Sequence, residues 1–119
     1  MEEDILDLTA IIPQPKAFKL GNKNFELLYN YKAIKKLEEI YGSVGAALDA
    51  FSNQDDVYTD TINFLYAGLG ETYKLTKQEI ESWIGLTSIN LFRDIIMDAL
   101  INSYGKNNAV GAEEVEPGE

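Results

Sequence analysis

Along residues 17–29, AFKLGNKNFELLY, apolar and polar positions alternate on either side of Gly21-Asn22-Lys23-Asn24. Phe18 and Leu20 fall on one face of the first arm, and Phe25 and Leu27 supply the matching face of the second. A period of two, broken by a polar turn that starts with glycine, predicts a β-hairpin. A hairpin alone is marginal in water, so its apolar face must lie against helices or against another chain. Alternation stops at Leu28, and from Tyr31 the period becomes helical. In YKAIKKLEEIY, Ile34, Leu37 and Tyr41 form one stripe, while Lys35, Lys36, Glu38 and Glu39 lie mostly off it. Asn30 is placed to cap the start of this helix, and Gly42 to take the left-handed turn at its end.

Residues 43–51, SVGAALDAF, read as a short helix followed by the polar break SNQDD, where Asp55 or Asp56 caps the next helix. The stripe of that helix is Tyr58, Ile62, Leu65, Tyr66 and Leu69, and GLGE is expected to end it, because Gly68 and Gly70 weaken a helix. Thr76-Lys77-Gln78-Glu79 fits a capping box and opens a helix that buries Ile80, Trp83 and Ile84. A last helix begins near Ser88, turns Ile89, Phe92, Ile96, Ala99 and Leu100 inward, and fades at Tyr104-Gly105. The fold expected is mainly α (α+β): about five helices with one N-terminal β-hairpin in a single domain. Its core is expected to include Phe18, Phe25, Leu27, Ile34, Leu37, Leu65, Leu69, Trp83, Phe92 and Ile96.

The two ends differ from this middle. Residues 1–16 carry four acids, the apolar set Ile5, Leu6, Leu8, Ile11 and Ile12, and then PQPK, where Pro13 and Pro15 interrupt any helix and mark a linker. Ile5, Leu8 and Ile12 are at helical spacing, so this arm either docks as one or two turns or is disordered alone. Residues 106–119 are polar, acidic and aperiodic, the composition of a disordered tail. The folded domain is therefore placed at residues 17–105.

Composition narrows the chemistry. The chain of 119 residues has no cysteine and no histidine, which removes disulfides, thiolate nucleophiles, cysteine-type zinc sites and the usual neutral-pH acid–base group. Twenty acids against ten bases give a net charge of −10, a sign repelled by phosphate backbones and anionic membranes. No nucleic acid and no membrane is expected as a partner, and basic or neutral proteins fit better. The apolar runs are too short to span a bilayer, and the acidic MEEDILDLTA does not resemble a secretion signal, so a soluble cytoplasmic protein is expected.

The carboxylates invite a search for a paired-acid site. Asp55-Asp56-Asp60 and Asp94-Asp98 are the candidates, the second pair on one helix face, but capping and solvation explain both more simply. DDVYTD lacks the glycine and final glutamate of a calcium loop, and GLGE follows no strand as a nucleotide fingerprint would. No catalytic residue, cofactor site or metal site is assigned, and no enzymatic activity is expected. Aromatic residues offer more. Phe18 and Phe25 on the hairpin, with Tyr29, Tyr31 and Tyr41 around its junction with the first helix, form the candidate interaction surface. The alternative for the tyrosines is that rings pack the core edge while hydroxyls reach water. Lys32, Lys35 and Lys36, matched by Glu38 and Glu39, read as a solvated face.

The hairpin leading into F-E-L-x-Y-N-Y-K-A-I-x-x-L-E-E-x-Y-G, then an Ala-rich helix, then FLYAGLGETYKLTKQEIESWIG, resembles the tail assembly chaperones of long-tailed bacteriophages. The likeness rests on Phe25 to Tyr29, Asn30, Ala33, Leu37 to Glu39 and Gly42, and on Leu65 to Leu69 ahead of Leu75-Thr76 and Glu79. It covers residues 17–104 and consists of spacing and residue class, without a catalytic signature. The resemblance implies a homo-oligomeric protein of the host cytoplasm, absent from the mature virion. Such a protein binds and solubilises the tape measure protein and helps recruit tail tube subunits. It further implies a ribosomal slip near the gene's end that yields a longer, tail-tube-binding product. Gly105-Lys106-Asn107 can be encoded with the slippery heptamer, as can Ile34-Lys35-Lys36, and the later position spares the folded domain. A second class of function is an acidic inhibitor that mimics DNA to block a host nucleic-acid-binding protein. Residues 17–105 hold twelve acids and eight bases, a net of only −4, which weakens that alternative.

Overall fold

A computed structural model of the chain describes residues 5–103. Residues 1–4 and 104–119, including the acidic tail expected after Gly105, lie outside the described residues. The described residues form one globular domain of five α-helices and one antiparallel hairpin, as the patterning predicts.

The hairpin comprises β1 (Lys16–Leu20) and β2 (Lys23–Leu27), with Phe18 opposite Phe25 and Lys16 opposite Leu27. Gly21 has φ +60° while Asn22 stays at negative φ, the pattern of a type II′ turn, which suits the twist of a two-residue hairpin. Phe18, Phe25 and Leu27 face the helices; Ala17, Lys19, Asn24 and Glu26 face outward. The outer edge of β2 is partly closed, since the Glu26 N–H donates to Tyr73 Oη at 2.9 Å.

Helix α1 (Tyr31–Tyr41) starts where Asn30 accepts from the Ala33 N–H and stops at Gly42, with φ +95°. Helix α2 (Val44–Asn53) is capped by Ser43 and runs two residues into the expected polar break, ending at left-handed Gln54. Asp56 caps α3 (Val57–Tyr73) by accepting from the Thr59 N–H. Thr76 and Glu79 form the reciprocal capping box of the one-turn α4 (Lys77–Glu81), and α5 (Ser88–Asn102) closes the domain.

Helix α3 is the axle, touching α1, α2, α4, α5 and β2. Two expectations fail on it. The most buried line runs through Thr61, Phe64, Leu65, Gly68 and Leu69, while Tyr58 is exposed and Ile62 and Tyr66 are half-buried. An axle covered from several sides has no single stripe. GLGE does not end the helix either; it continues to Tyr73 and stops at left-handed Lys74, φ +56°. The glycines are there for close packing. A Cβ at Gly68 would overlap Leu27 Cδ1, and one at Gly70 would stand 2.8 Å from Tyr66 Cδ1. Their propensity cost, ~1 kcal/mol each, is offset by the approach of the hairpin and of the Tyr66 ring.

Of the expected core, Phe25, Leu27, Leu37, Leu65, Leu69, Phe92 and Ile96 are buried, and Phe18, Ile34 and Trp83 are half-buried. Phe51, Phe64 and Tyr29 join it without having been placed there by the pattern. Arg93 ties α5 to α2. Its guanidinium lies 4.1 Å from the Phe51 ring centroid and donates to the Phe51 carbonyl at 3.0 Å.

Candidate interaction surface

The five aromatic residues expected to face a partner separate into different environments. Tyr29 is only 1% exposed, and its hydroxyl donates to the Phe64 carbonyl at 2.8 Å. That carbonyl lies one helical turn before Gly68, whose missing side chain leaves room for the Tyr29 ring. Burial pushes the Tyr29 hydroxyl well above the ordinary tyrosine value. Tyr41 is half-buried, donating to Asp60 Oδ1 at 2.5 Å and accepting from Asn63 Nδ2 at 3.3 Å. Its hydroxyl is pushed up to about 12, first by burial and then by the bond to Asp60.

Phe25 is buried, stacked 5.3 Å from Phe18 and packed against Tyr73 and Trp83. Phe18 is half-buried and meets Phe92 edge-on at 6.0 Å. Tyr31, 73% exposed, is the one member of the five on the open surface, with Lys35 Nζ 6.0 Å from its ring centroid. The expected surface is therefore corrected. Phe25 and Tyr29 are interior because each ring finds an aromatic pocket, and in Tyr29 the hydroxyl finds a main-chain acceptor as well.

The candidate acids are likewise placed. Asp56 is the α3 cap, and Asp60, 4% exposed, receives Tyr41 and also the Asp56 N–H at 3.3 Å. Asp55 and Asp94 are exposed, and Asp98 pairs with Lys16 at 3.3 Å on the surface. Among the described residues no group of three or more acidic side chains is arranged to hold a metal ion. No helix among them is long and apolar enough to cross a membrane.

What the surface does offer is apolar. Ile5 is 93% exposed, Leu6 79%, and Leu8, Ile11 and Ile12 are exposed as well, so the arm neither forms a full helix nor docks its apolar side chains on the domain. Between Ile5 and Pro15 the chain forms a single 3-10 turn, Thr9–Ile11, where Asp7 accepts from the Thr9 N–H. The root of the arm is fixed. Gln14 N–H donates to the Asn102 carbonyl at 3.1 Å, and Asn102 Nδ2 donates to the Pro15 carbonyl at 3.2 Å. Those bonds hold the arm at the end of α5, whose outer face exposes Leu91, Met97 and Ile101 beside Asp94 and Asp98.

On the other side of the root, Pro13 borders an apolar cleft of about 220 Å³ lined by Ile34, Leu37, Val44, Leu48 and Leu100. Sequence reasoning singled out the arm but not α5. Leu91, Met97 and Ile101 lie opposite the buried stripe of Ile89, Phe92, Ile96 and Ala99, and an apolar residue off the stripe was the available signal. Comparison of the chain with protein-family models, with curated proteins and with solved structures gives no match.

Proposed function

We propose that the chain is a tail assembly chaperone of a long-tailed bacteriophage: a non-enzymatic protein that binds the tape measure protein, keeps it soluble, and helps recruit tail tube subunits. It acts as a homo-oligomer in the host cytoplasm and is left out of the virion. The sequence resemblance motivates the reading, and one observation supports it physically: the apolar side chains of the arm, Ile5, Leu6, Leu8, Ile11 and Ile12, are left exposed by the domain. A long helical client with apolar stripes needs such a surface on its partner, and an acidic exterior keeps the coated complex apart from its neighbours.

The DNA-mimic alternative draws no comparable support, because Asp56 and Asp60 are used inside the fold and Asp98 is paired. The test is co-expression with the product of a very long, coiled-coil-rich reading frame sought immediately downstream of this gene, where the proposal places the tape measure protein. The soluble fraction of that client should rise with this chain and fall back when Leu6 and Leu8 are changed to Ser. A client equally insoluble with and without the chain overturns it. The slip site at Gly105-Lys106-Asn107 requires Gly105 to be encoded by GGA, which the gene sequence decides.

A further inference from the structure

We infer that two copies of the chain join through the free edge of β1, strand against strand, in one register centred on Phe18. This deepens the homo-oligomer proposed above and rests on that reading only for what the assembly is for.

The register of the hairpin decides which backbone groups are free. In a two-residue hairpin the pair closing the turn, Leu20 and Lys23, exchanges both hydrogen bonds, and alternation then makes Phe18–Phe25 and Lys16–Leu27 the other bonded pairs. Ala17, Lys19, Asn24 and Glu26 therefore aim their N–H and C=O groups away from the ladder. Glu26 shows this directly, since its N–H reaches Tyr73 Oη outside the hairpin. On β1 the matching groups of Ala17 and Lys19 meet no hydrogen-bond partner among the described residues.

Burial falls off toward the same edge. Phe25 and Leu27 of β2 are buried, while Phe18 and Leu20 of β1, which face the same way, are only half-buried. Helix α5 runs antiparallel to β1, with Phe92 meeting Phe18, Asp98 holding Lys16 and Asn102 holding the Pro15 carbonyl. Leu91 and Ile95 stand on the line of α5 that Asp98 and Asn102 continue (i, i+4, i+7, i+11), yet Leu91 is 60% exposed. A strand added to β1, arriving with its own α5, covers Phe18, Leu20 and Leu91.

A second copy of β1 is the strand that fits, because this edge is self-complementary in one register. With Phe18 opposite the partner's Phe18, Ala17 lies opposite the partner's Lys19 and Lys19 opposite the partner's Ala17. All four outward N–H groups then find carbonyls. The phenylalanines form the closer, non-hydrogen-bonded kind of pair, and no lysine faces a lysine. Sliding by two residues one way pairs Lys19 with the partner's Pro15, which has no N–H. Sliding the other way sets Lys19 against the partner's Lys19 and runs into the Gly21 turn.

Sedimentation equilibrium of the full chain, at about 0.15 M salt to screen long-range repulsion, should show monomer and dimer in exchange. Ala17→Lys sets lysine opposite the partner's Lys19 twice per dimer and should weaken dimerisation at least about threefold, although it lowers the net negative charge. Adding Lys19→Glu to that variant makes both pairs attractive and should restore the original affinity. Lys19→Pro removes an outward N–H without touching the ladder and should abolish the dimer, whereas Asn24→Pro on β2 should spare it; thermal melting checks that both fold. The chain has no cysteine, so an equimolar mixture of Ala17→Cys and Lys19→Cys should yield far more disulfide-linked dimer than either variant alone, at a Cα spacing of about 5.5 Å.

If Lys19→Glu fails to repair the loss, or if self-association ignores the β1 variants, the contact lies elsewhere: the inference is overturned and the homo-oligomer stands. A chain monomeric at every concentration overturns the inference together with the oligomeric part of the proposed function. Dimers in this register, formed by a chain that fails to solubilise the tape measure protein, would retain the inference and remove that function.

Discussion

Tyr41 donates its hydroxyl to Asp60 across the α1–α3 contact, so one phenol supplies a hydrogen to a carboxylate that is almost wholly buried. Tyr41→Phe leaves Asp60 Oδ1 without that donor and should cost about 1–3 kcal/mol at neutral pH, measured by urea unfolding. The pH dependence follows from the same bond. The Tyr41 hydroxyl titrates at 10.0 when unconstrained and at about 12 in the fold. Its contribution is therefore fully present below pH 10.0 and is lost as the pH rises to about 12, where the unfolded chain has already released the proton. Tyr29 titrates in the same sense, so its buried phenol steepens the same alkaline loss. Tyr41→Phe should flatten the stability curve over that window, and an unchanged alkaline slope would contradict the assignment.

Gly68 and Gly45 give opposite outcomes for the same substitution. Gly68→Ala forces its new methyl into Leu27 and should destabilise by about 1–3 kcal/mol despite better helix propensity. Gly45 in α2 has only Ser43 Oγ near its Cβ position, at 3.9 Å, so Gly45→Ala should stabilise by ~0.5–1 kcal/mol. Thermal unfolding of the two variants checks both signs.

Trp83 is half-buried between Phe25 and Phe92, at ring-centroid distances of 5.4 and 5.9 Å. Trp83→Ala should cost an amount near the lower end of ~3–5 kcal/mol, because part of the ring already meets water. A melting temperature unchanged by the substitution would contradict this packing.

Removal of residues 1–12 should leave the melting temperature nearly unchanged, since the large apolar side chains of the arm are exposed. Extending the deletion through Pro15 removes both hydrogen bonds to Asn102 and the proline bordering the apolar cleft, and should destabilise measurably. Limited proteolysis should accordingly stop near Pro13 on the N-terminal side.

The features legible in the sequence were those decided within a few residues. Asn30, Gly42, Asp56 and the Thr76–Glu79 box announce themselves because a cap is a local bargain between one side chain and the next turn. The glycines of α3 were misread because the atoms that require them, on Leu27 and on the Tyr66 ring, cannot be inferred from helix propensity. Tyr29 was read as a surface residue because nothing local shows that its hydroxyl meets the Phe64 carbonyl, 35 residues away. Asp60 carried a faint signal, an acid in the first turn of a helix, but its partner Tyr41 lies on another element. The arm was legible as apolar and proline-bounded. Its exposure was not, because periodicity records which residues could share a face and not whether anything covers it.

The seating of Tyr29 and Leu27 against α3 also sets an order of events at the ribosome. The hairpin emerges early, but the carbonyl that receives Tyr29 is made 35 residues later. At about 5–20 residues per second, the apolar face of the hairpin waits several seconds for its cover. A paired ribbon of that size is not stable alone, so the nascent chain is itself an exposed apolar segment during that interval. Mutations that loosen the Gly68 contact therefore act twice, once on the finished domain and once by prolonging the time in which the young chain can aggregate.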